Sequence, residues 1–259
     1  MPHIQINNKS IHYLEINQEA PETIVMVHGL FTNLSVFYFK IAPLLSKDFH
    51  IVLYDLPSHG MSGWVEEGYS LKEMSDDLFA MMDALHLSKV HLVGYSFGGL
   101  IALYAAMHQP QRIKTLSILD SPAIDESWNN YEQEYMDQQL DEYVDSTQLR
   151  PNRRQIEKIK KLYNHLFSNP SIRDELMRDS HFMESDALNK LSVPVLLLYA
   201  SDSPCFKTGL FLNEHIPGVV LETINGDHNL PVQNPEWISE KLAGFISGST
   251  IRKDKTTNN

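Results

Sequence analysis

Cysteine is almost missing from this chain: its 259 residues include one, Cys205. No disulfide framework can form within it, and a reducing, cytoplasmic setting is expected. Basic residues are scarce too. Lys and Arg number 21 against 33 Asp and Glu, a formal net charge of −12. General nucleic-acid binding needs a basic face and is excluded on that balance. No apolar run reaches the roughly 18 residues that a membrane span requires. The opening residues Met1 to Ile6 have neither a charged start nor an apolar stretch, so no signal peptide is expected. Repeats and low-complexity tracts are absent. No two histidines have metal-ligand spacing with carboxylates nearby, and Gly94 to Gly99 lacks a phosphate-cradle register. Neither a metal nor a cofactor is expected.

What is present is a strand–helix alternation. Ile4 and Ile6, then Ile11 and Tyr13, alternate around Asn7-Asn8-Lys9 and predict a hairpin. Apolar runs follow at Thr23–Val27, Ile51–Tyr54, Val90–Val93, Leu116–Leu119, Val193–Tyr199 and Val219–Ile224. Short runs rich in Val, Ile and Leu suit parallel strands buried on both faces. Ser70 and Glu73 form a capping-box pattern ahead of Leu71, Met74, Leu78, Met81 and Leu85, which line one helix face. Further helices are predicted at Leu100–His108 and Pro235–Phe245. The fold class is α/β with a mostly parallel central sheet flanked by helices.

One stretch breaks this rhythm. Residues 125–190 hold no strand-like run, and Ile156, Ile159, Tyr163 and Leu166 recur at helical spacing. A helical cap inserted between strands is expected there, with residues 1–124 and 191–248 as the core and 249–259 as a frayed polar tail. The cap's charges are segregated. Asp125–Asp145 holds eight acids and no base, and Arg150–Lys161 holds six bases and one acid, Glu157. Two readings apply: solvated faces that attract each other, or a basic stretch that steers an anionic substrate.

Chemistry concentrates in three loops after strands. Gly94-Tyr95-Ser96-Phe97-Gly98 is a G-x-S-x-G pattern between an apolar strand and a helix. A sharp turn there lifts the Ser96 hydroxyl off the sheet, and side chains at 94 or 98 would collide with it. His28-Gly29-Leu30-Phe31 follows the first parallel run. The backbone N–H groups of Leu30 and Phe97 are the expected oxyanion hole, with His28 ordering the loop. Asn225-Gly226-Asp227-His228 follows the last run. Ser96 needs a base, and His228 is the expected one. His59, in Asp55-Leu56-Pro57-Ser58-His59-Gly60, reads as a turn residue. The triad's acid is ambiguous from position alone, because Asp120 and Asp202 both follow strand ends within reach of one histidine.

These residues resemble the α/β-hydrolase superfamily and, within it, the YbfF-type bacterial acyl esterases. The likeness covers about residues 20–124 and 190–246. It rests on His28-Gly29-Leu30-Phe31, Tyr54 to Gly60, Gly94 to Gly99, Leu119-Asp120-Ser121-Pro122 and Gly226-Asp227-His228. Most of the superfamily places the acid just ahead of a proline after the cap, where this chain has Ser203 before Pro204. The YbfF-type subgroup has a serine there and takes its acid from the preceding strand end, which implies Asp120. Tyr95 and Phe97 depart from the usual residues and are expected to border the acyl pocket.

The expected function is hydrolysis of small acyl esters or thioesters by Ser96, His228 and Asp120. The partner is that small substrate, with an anionic leaving group such as a coenzyme A thiol suggested by the basic cap stretch alone. A carbon–carbon hydrolase or lyase on the same residues is the alternative. A non-catalytic binding protein would usually lack one of the three. Dehalogenase chemistry is disfavoured, since it uses an aspartate where this chain has Ser96.

Overall fold

Among the described residues, eight strands form one sheet in the order β1-β2-β4-β3-β5-β6-β7-β8. They are β1 (His3–Ile6), β2 (Lys9–Ile16), β3 (Thr23–Val27), β4 (His50–Tyr54), β5 (Val90–Tyr95), β6 (Ile113–Leu119), β7 (Val195–Ala200) and β8 (Val220–Ile224). β1 and β2 pair antiparallel, β2 runs antiparallel to β4, and every pairing from β4 to β8 is parallel. This computed structural model describes residues 2–123 and 153–256. The β1–β2 turn is tight because Asn7 and Asn8 accept positive φ values of 48° and 63°, which asparagine tolerates better than most residues.

The central strands β3 to β7 are buried on both faces because helices cover both, whereas β8, expected to be buried on both, is an edge strand with Val220 exposed. Along each strand, alternate side chains enter two separate cores. Val25, Val27, Val52, Leu92, Leu116, Ile118 and Leu197 join one core, packed under α3 (Leu71–Ala84) and α4 (Phe97–His108). Ile24, Met26, Ile51, Leu53, Val93, Leu119 and Leu198 join the other, covered by α1 (Ser35–Tyr38), α2 (Ile41–Leu45) and the closing helix. The N-cap half of the capping-box pattern is seen: Ser70 is the N-cap of α3 and its Oγ accepts the Glu73 N–H at 3.2 Å, while its hydroxyl donates to Glu73 Oε2 at 2.7 Å.

Between β6 and β7, the described part of the expected cap is helical. It comprises α5 (Arg153–Phe167), α6 (Pro170–Arg178), a short 3-10 turn at Ser180–Met183 and α7 (Ser185–Leu188). The acidic stretch Asp125–Asp145 lies outside the described residues. Leu162, Tyr163 and Leu166 are buried, with Ile156 and Ile159 half-buried on the same helical stripe. After β7 come α8 (Phe206–His215), then β8, α9 (Leu230–Gln233) and α10 (Pro235–Thr256). α10 corrects the predicted end at Phe245. Ile246, 1% exposed, continues the buried stripe of Ile238 and Leu242, so the helix carries on into the segment read as a tail.

All parallel strands deliver their C-terminal ends to one edge. From β3 the chain moves to β4 on one side and later to β5 on the other. Loops leaving β3 and β5 therefore part, and a crevice opens between them.

Candidate active site

Ser96 sits between β5 and α4 with φ 53° and ψ −127°, a conformation that a β-to-helix turn this sharp imposes. The two flanking glycines make it sterically attainable. A Cβ on Gly94 would stand 2.3 Å from the Gly98 carbonyl oxygen, and one on Gly98 would stand 2.3 Å from that of Val27. The turn is pinned on both sides. Ser96 N–H donates to Leu119 O at 2.9 Å, and Ser121 Oγ donates to Ser96 O at 2.8 Å.

His228 reaches Ser96 from the loop after β8. Its Nε2 is 3.0 Å from Ser96 Oγ, and its Nδ1 is 2.7 Å from Asp120 Oδ2. A carboxylate on Nδ1 keeps the proton there and leaves the Nε2 lone pair facing the hydroxyl. Asp120, at the end of β6, is fully buried. Its Oδ1 accepts the Ala200 N–H at 3.1 Å, and its Oδ2 also accepts Ser203 Oγ–H at 2.5 Å. Asp202, the other sequence candidate, is exposed. Its backbone N–H is bonded to Gly226 O and its carboxylate lies beside Ser201 Oγ. Of the two aspartates, Asp120 is the one that holds the imidazole. Burial pulls the His228 pKa down, but the hydrogen bond and charge of Asp120, with the Cys205 contact, raise it above the ordinary value.

Two neighbours, Ser203 and Cys205, were not assigned roles from sequence. Ser203, noted only as a departure before Pro204, fastens the acid. Cys205 Sγ is 3.6 Å from His228 Nδ1. Tyr95, expected to border the acyl pocket, contacts His228. Its ring stacks on His228 at 5.3 Å and 29°, and its hydroxyl donates to His228 O at 2.7 Å. Its side chain joins the core covered by α1, α2 and the closing helix, and from there it supports the histidine loop.

The β3 loop packs directly on the serine. A Cβ on Gly29 would come within 2.7 Å of Ser96 Cβ. Thr32 N–H and Oγ1–H both donate to Gly29 O, turning the loop so that Leu30 and Phe31 lie beside the site. Phe97 is the first residue of α4, so its N–H stands in the helix's first turn, next to Ser96. His28 is fully buried and neutral. Its Nδ1–H donates to Gly29 O at 2.7 Å and its Nε2 accepts the Leu56 N–H at 3.0 Å, tying the β3 and β4 loops together. His59 is also buried, and desolvation brings its pKa down to about 3. Its Nδ1–H donates to Pro57 O. Phe31, at φ 63°, packs its ring against Tyr163 and Phe167 of α5, so the described cap helices close one side of the crevice.

A family model described as alpha/beta hydrolase fold matches residues 22–166, more than half of the chain. An acetyltransferase component of an acetoin cleaving system from Pseudomonas putida is 31% identical over 125 residues, which are 48% of this chain and 34% of that protein. The chain thus spans about a third of that relative. 3-Oxoadipate enol-lactonase 1 of Acinetobacter baylyi is 26% identical, over 94% of this chain and 96% of that one. Among solved structures, a meta-cleavage product hydrolase from Pseudomonas fluorescens superposes with a TM-score of 0.80 at 19% identity, covering 96% of this chain and 98% of that one.

Proposed function

This chain belongs to the alpha/beta hydrolase fold family, and from that premise we propose that it is a serine hydrolase of small carboxylic esters, lactones or thioesters. One observation carries the reading: the unbroken relay from Ser96 Oγ through the His228 imidazole to the buried Asp120 carboxylate.

The chemistry follows from the atoms. His228 Nε2 takes the Ser96 proton as Oγ attacks the acyl carbonyl. Negative charge grows on the carbonyl oxygen, where the Leu30 and Phe97 N–H groups receive it, aided by the positive end of α4. The imidazolium is stabilised by Asp120 and hands its proton to the leaving alcohol or thiol. Water, activated by the same imidazole, then releases the acid and restores Ser96. Asp120 stays anionic throughout, held by Ser203 and the Ala200 N–H.

The enol-lactonase relative favours ester chemistry over carbon–carbon cleavage, since a lactone is a cyclic ester and the alignment runs nearly the whole length of both chains. The Asp120–Ser203 pair supports the narrower likeness to the YbfF-type acyl esterases.

The test is p-nitrophenyl butyrate turnover by unmodified protein and by Ser96→Ala, Asp120→Asn and Asp202→Asn, each first shown to be folded. Ser96→Ala should lose essentially all turnover. Asp120→Asn should fall by about 10⁴-fold, the effect of leaving a triad histidine in the wrong tautomer. Asp202→Asn should stay within about twofold, as expected for an exposed carboxylate with no part in the relay. A folded, unmodified protein inert to esters would sink the ester reading and bring carbon–carbon cleavage forward.

A further inference from the structure

Cys205, His228 and Asp120 come from three separate elements: the start of α8, the loop after β8 and the end of β6. Their ligand atoms, a sulfur, a nitrogen and an oxygen, all lie within 4.8 Å of one another. Among the described residues this is the one such cluster of histidine, cysteine and carboxylate. We propose that it is a binding site for a soft divalent cation such as Zn²⁺, and that occupancy switches the hydrolase off reversibly.

The geometry is that of three corners of a tetrahedron. Zinc bonds of about 2.3 Å to sulfur and about 2.0–2.1 Å to nitrogen, at a tetrahedral angle, put the two ligands about 3.6 Å apart. The Sγ to Nδ1 separation is 3.6 Å. The Nδ1 to Oδ2 separation is 2.7 Å, and it would have to open to about 3.4 Å for the same ion. Only the histidine needs to move, because Asp120 is fixed by Ala200 and Ser203 while His228 sits on a loop. The approach is from the imidazole side, where His228 is 33% exposed and Asp120 is not exposed at all. A thiolate and an imidazole select zinc over hard cations such as Mg²⁺. Of the four corners, the protein supplies three, leaving one for water.

Binding and catalysis exclude each other because they use the same atom. A cation on Nδ1 takes the lone pair that the Nδ1–H bond to Asp120 would occupy. The ring then carries its proton on Nε2 and offers Ser96 a donor instead of an acceptor. Inhibition therefore presupposes the serine-hydrolase reading, whereas binding does not.

The test separates the two. Zn²⁺ is titrated into the full chain during p-nitrophenyl butyrate turnover, with Mg²⁺ as control and chelator added afterwards. Zn²⁺ should inhibit, Mg²⁺ should not, and chelator should restore the rate. Cys205→Ala and Cys205→Ser should still hydrolyse the ester, with the inhibitory Zn²⁺ concentration raised at least about tenfold. In parallel, Co²⁺ is added to Ser96→Ala protein, which needs no activity. A sulfur-to-cobalt charge-transfer band should appear there and be missing when Cys205→Ala is added to the same chain. Equal Zn²⁺ sensitivity with and without Cys205, or no sulfur-to-cobalt band in Ser96→Ala protein, overturns the proposal. A band without ester turnover upholds the site and faults the functional reading instead.

Discussion

His228 shows how one residue's surroundings decide its chemistry. An imidazole half-buried against protein would ordinarily lose its proton more readily. Here the Asp120 carboxylate at 2.7 Å, with Cys205 beside it, outweighs burial and the pKa rises. The base form is the neutral one, so the sign for activity is clear. Below the raised pKa His228 is charged and cannot take the Ser96 proton. The ester kcat/KM should climb with pH to a plateau, through a single midpoint above 6.5, the value from which the shift is raised. A midpoint at or below that value would show that the carboxylate does not control the ring. Tyr95 and Ser203 act at the same scale, one holding the histidine's backbone and the other the acid's oxygen. Neither residue type signals such a role on its own, because each acts only on a group remote in sequence.

Elements α5 and α6 bury Leu162, Leu166, Ile172 and Leu176 in the core, and polar contacts tie them to one loop. Glu175 Oε2 in α6 accepts the backbone N–H groups of Gly68 and Tyr69, at 2.8 and 2.9 Å. His165 in α5 has its Nε2 2.8 Å from Val65 O, and Lys161 lies 4.7 Å from the Trp64 ring centre. The loop from Trp64 to Tyr69 is thus the strap on which the cap helices rest. Glu175→Ala would leave two N–H groups without their charged acceptor, at a cost of about 1–3 kcal/mol. The expected outcome is lower stability in denaturant titration and faster amide exchange in Gly68, Tyr69 and α6, with β5 to β7 unchanged. Exchange that stays slow at α6 would mean that the buried Ile172 and Leu176 hold the helix without the Glu175 contacts. The helical spacing in α5 was legible in the sequence. That its partner is the β4–α3 loop was not, since Glu175 and Gly68 are far apart along the chain.

The whole molecule carries an acid sensitivity. His28 and His59 are fully buried with their rings 5.3 Å apart, and desolvation lowers both pKa values. The unfolded chain binds protons at these sites near 6.5, whereas folded His59 does so only near 3. Their neutral burial therefore contributes stability that is complete above about pH 6.5 and is lost as pH falls from there towards 3. Thermal unfolding should move to lower temperature across that window. His59→Gln keeps an N–H for the Pro57 carbonyl but cannot titrate, so its melting temperature should fall less steeply over the same range. An equal slope in both proteins would show that His59 does not contribute to the acid loss.

Across the described residues no helix is long and apolar enough to cross a membrane. The sequence by itself determined the strand order of appearance, the two apolar faces and the Ser96 turn. Each of these depends on local pattern: short Val, Ile and Leu runs, helical periodicity, and glycines where a Cβ has no room. It also brought Ser96, His228 and two aspartates to the same sheet edge, because parallel strands all end there. Position along the chain left Asp120 and Asp202 open, the resemblance favoured Asp120, and tertiary structure places Asp120 against the imidazole. That choice depends on where one loop lets an imidazole swing, and one carboxylate is buried beneath it while the other faces water. The same holds for Cys205, whose closeness to His228 is a product of β7, α8 and β8 packing side by side rather than of any spacing along the chain.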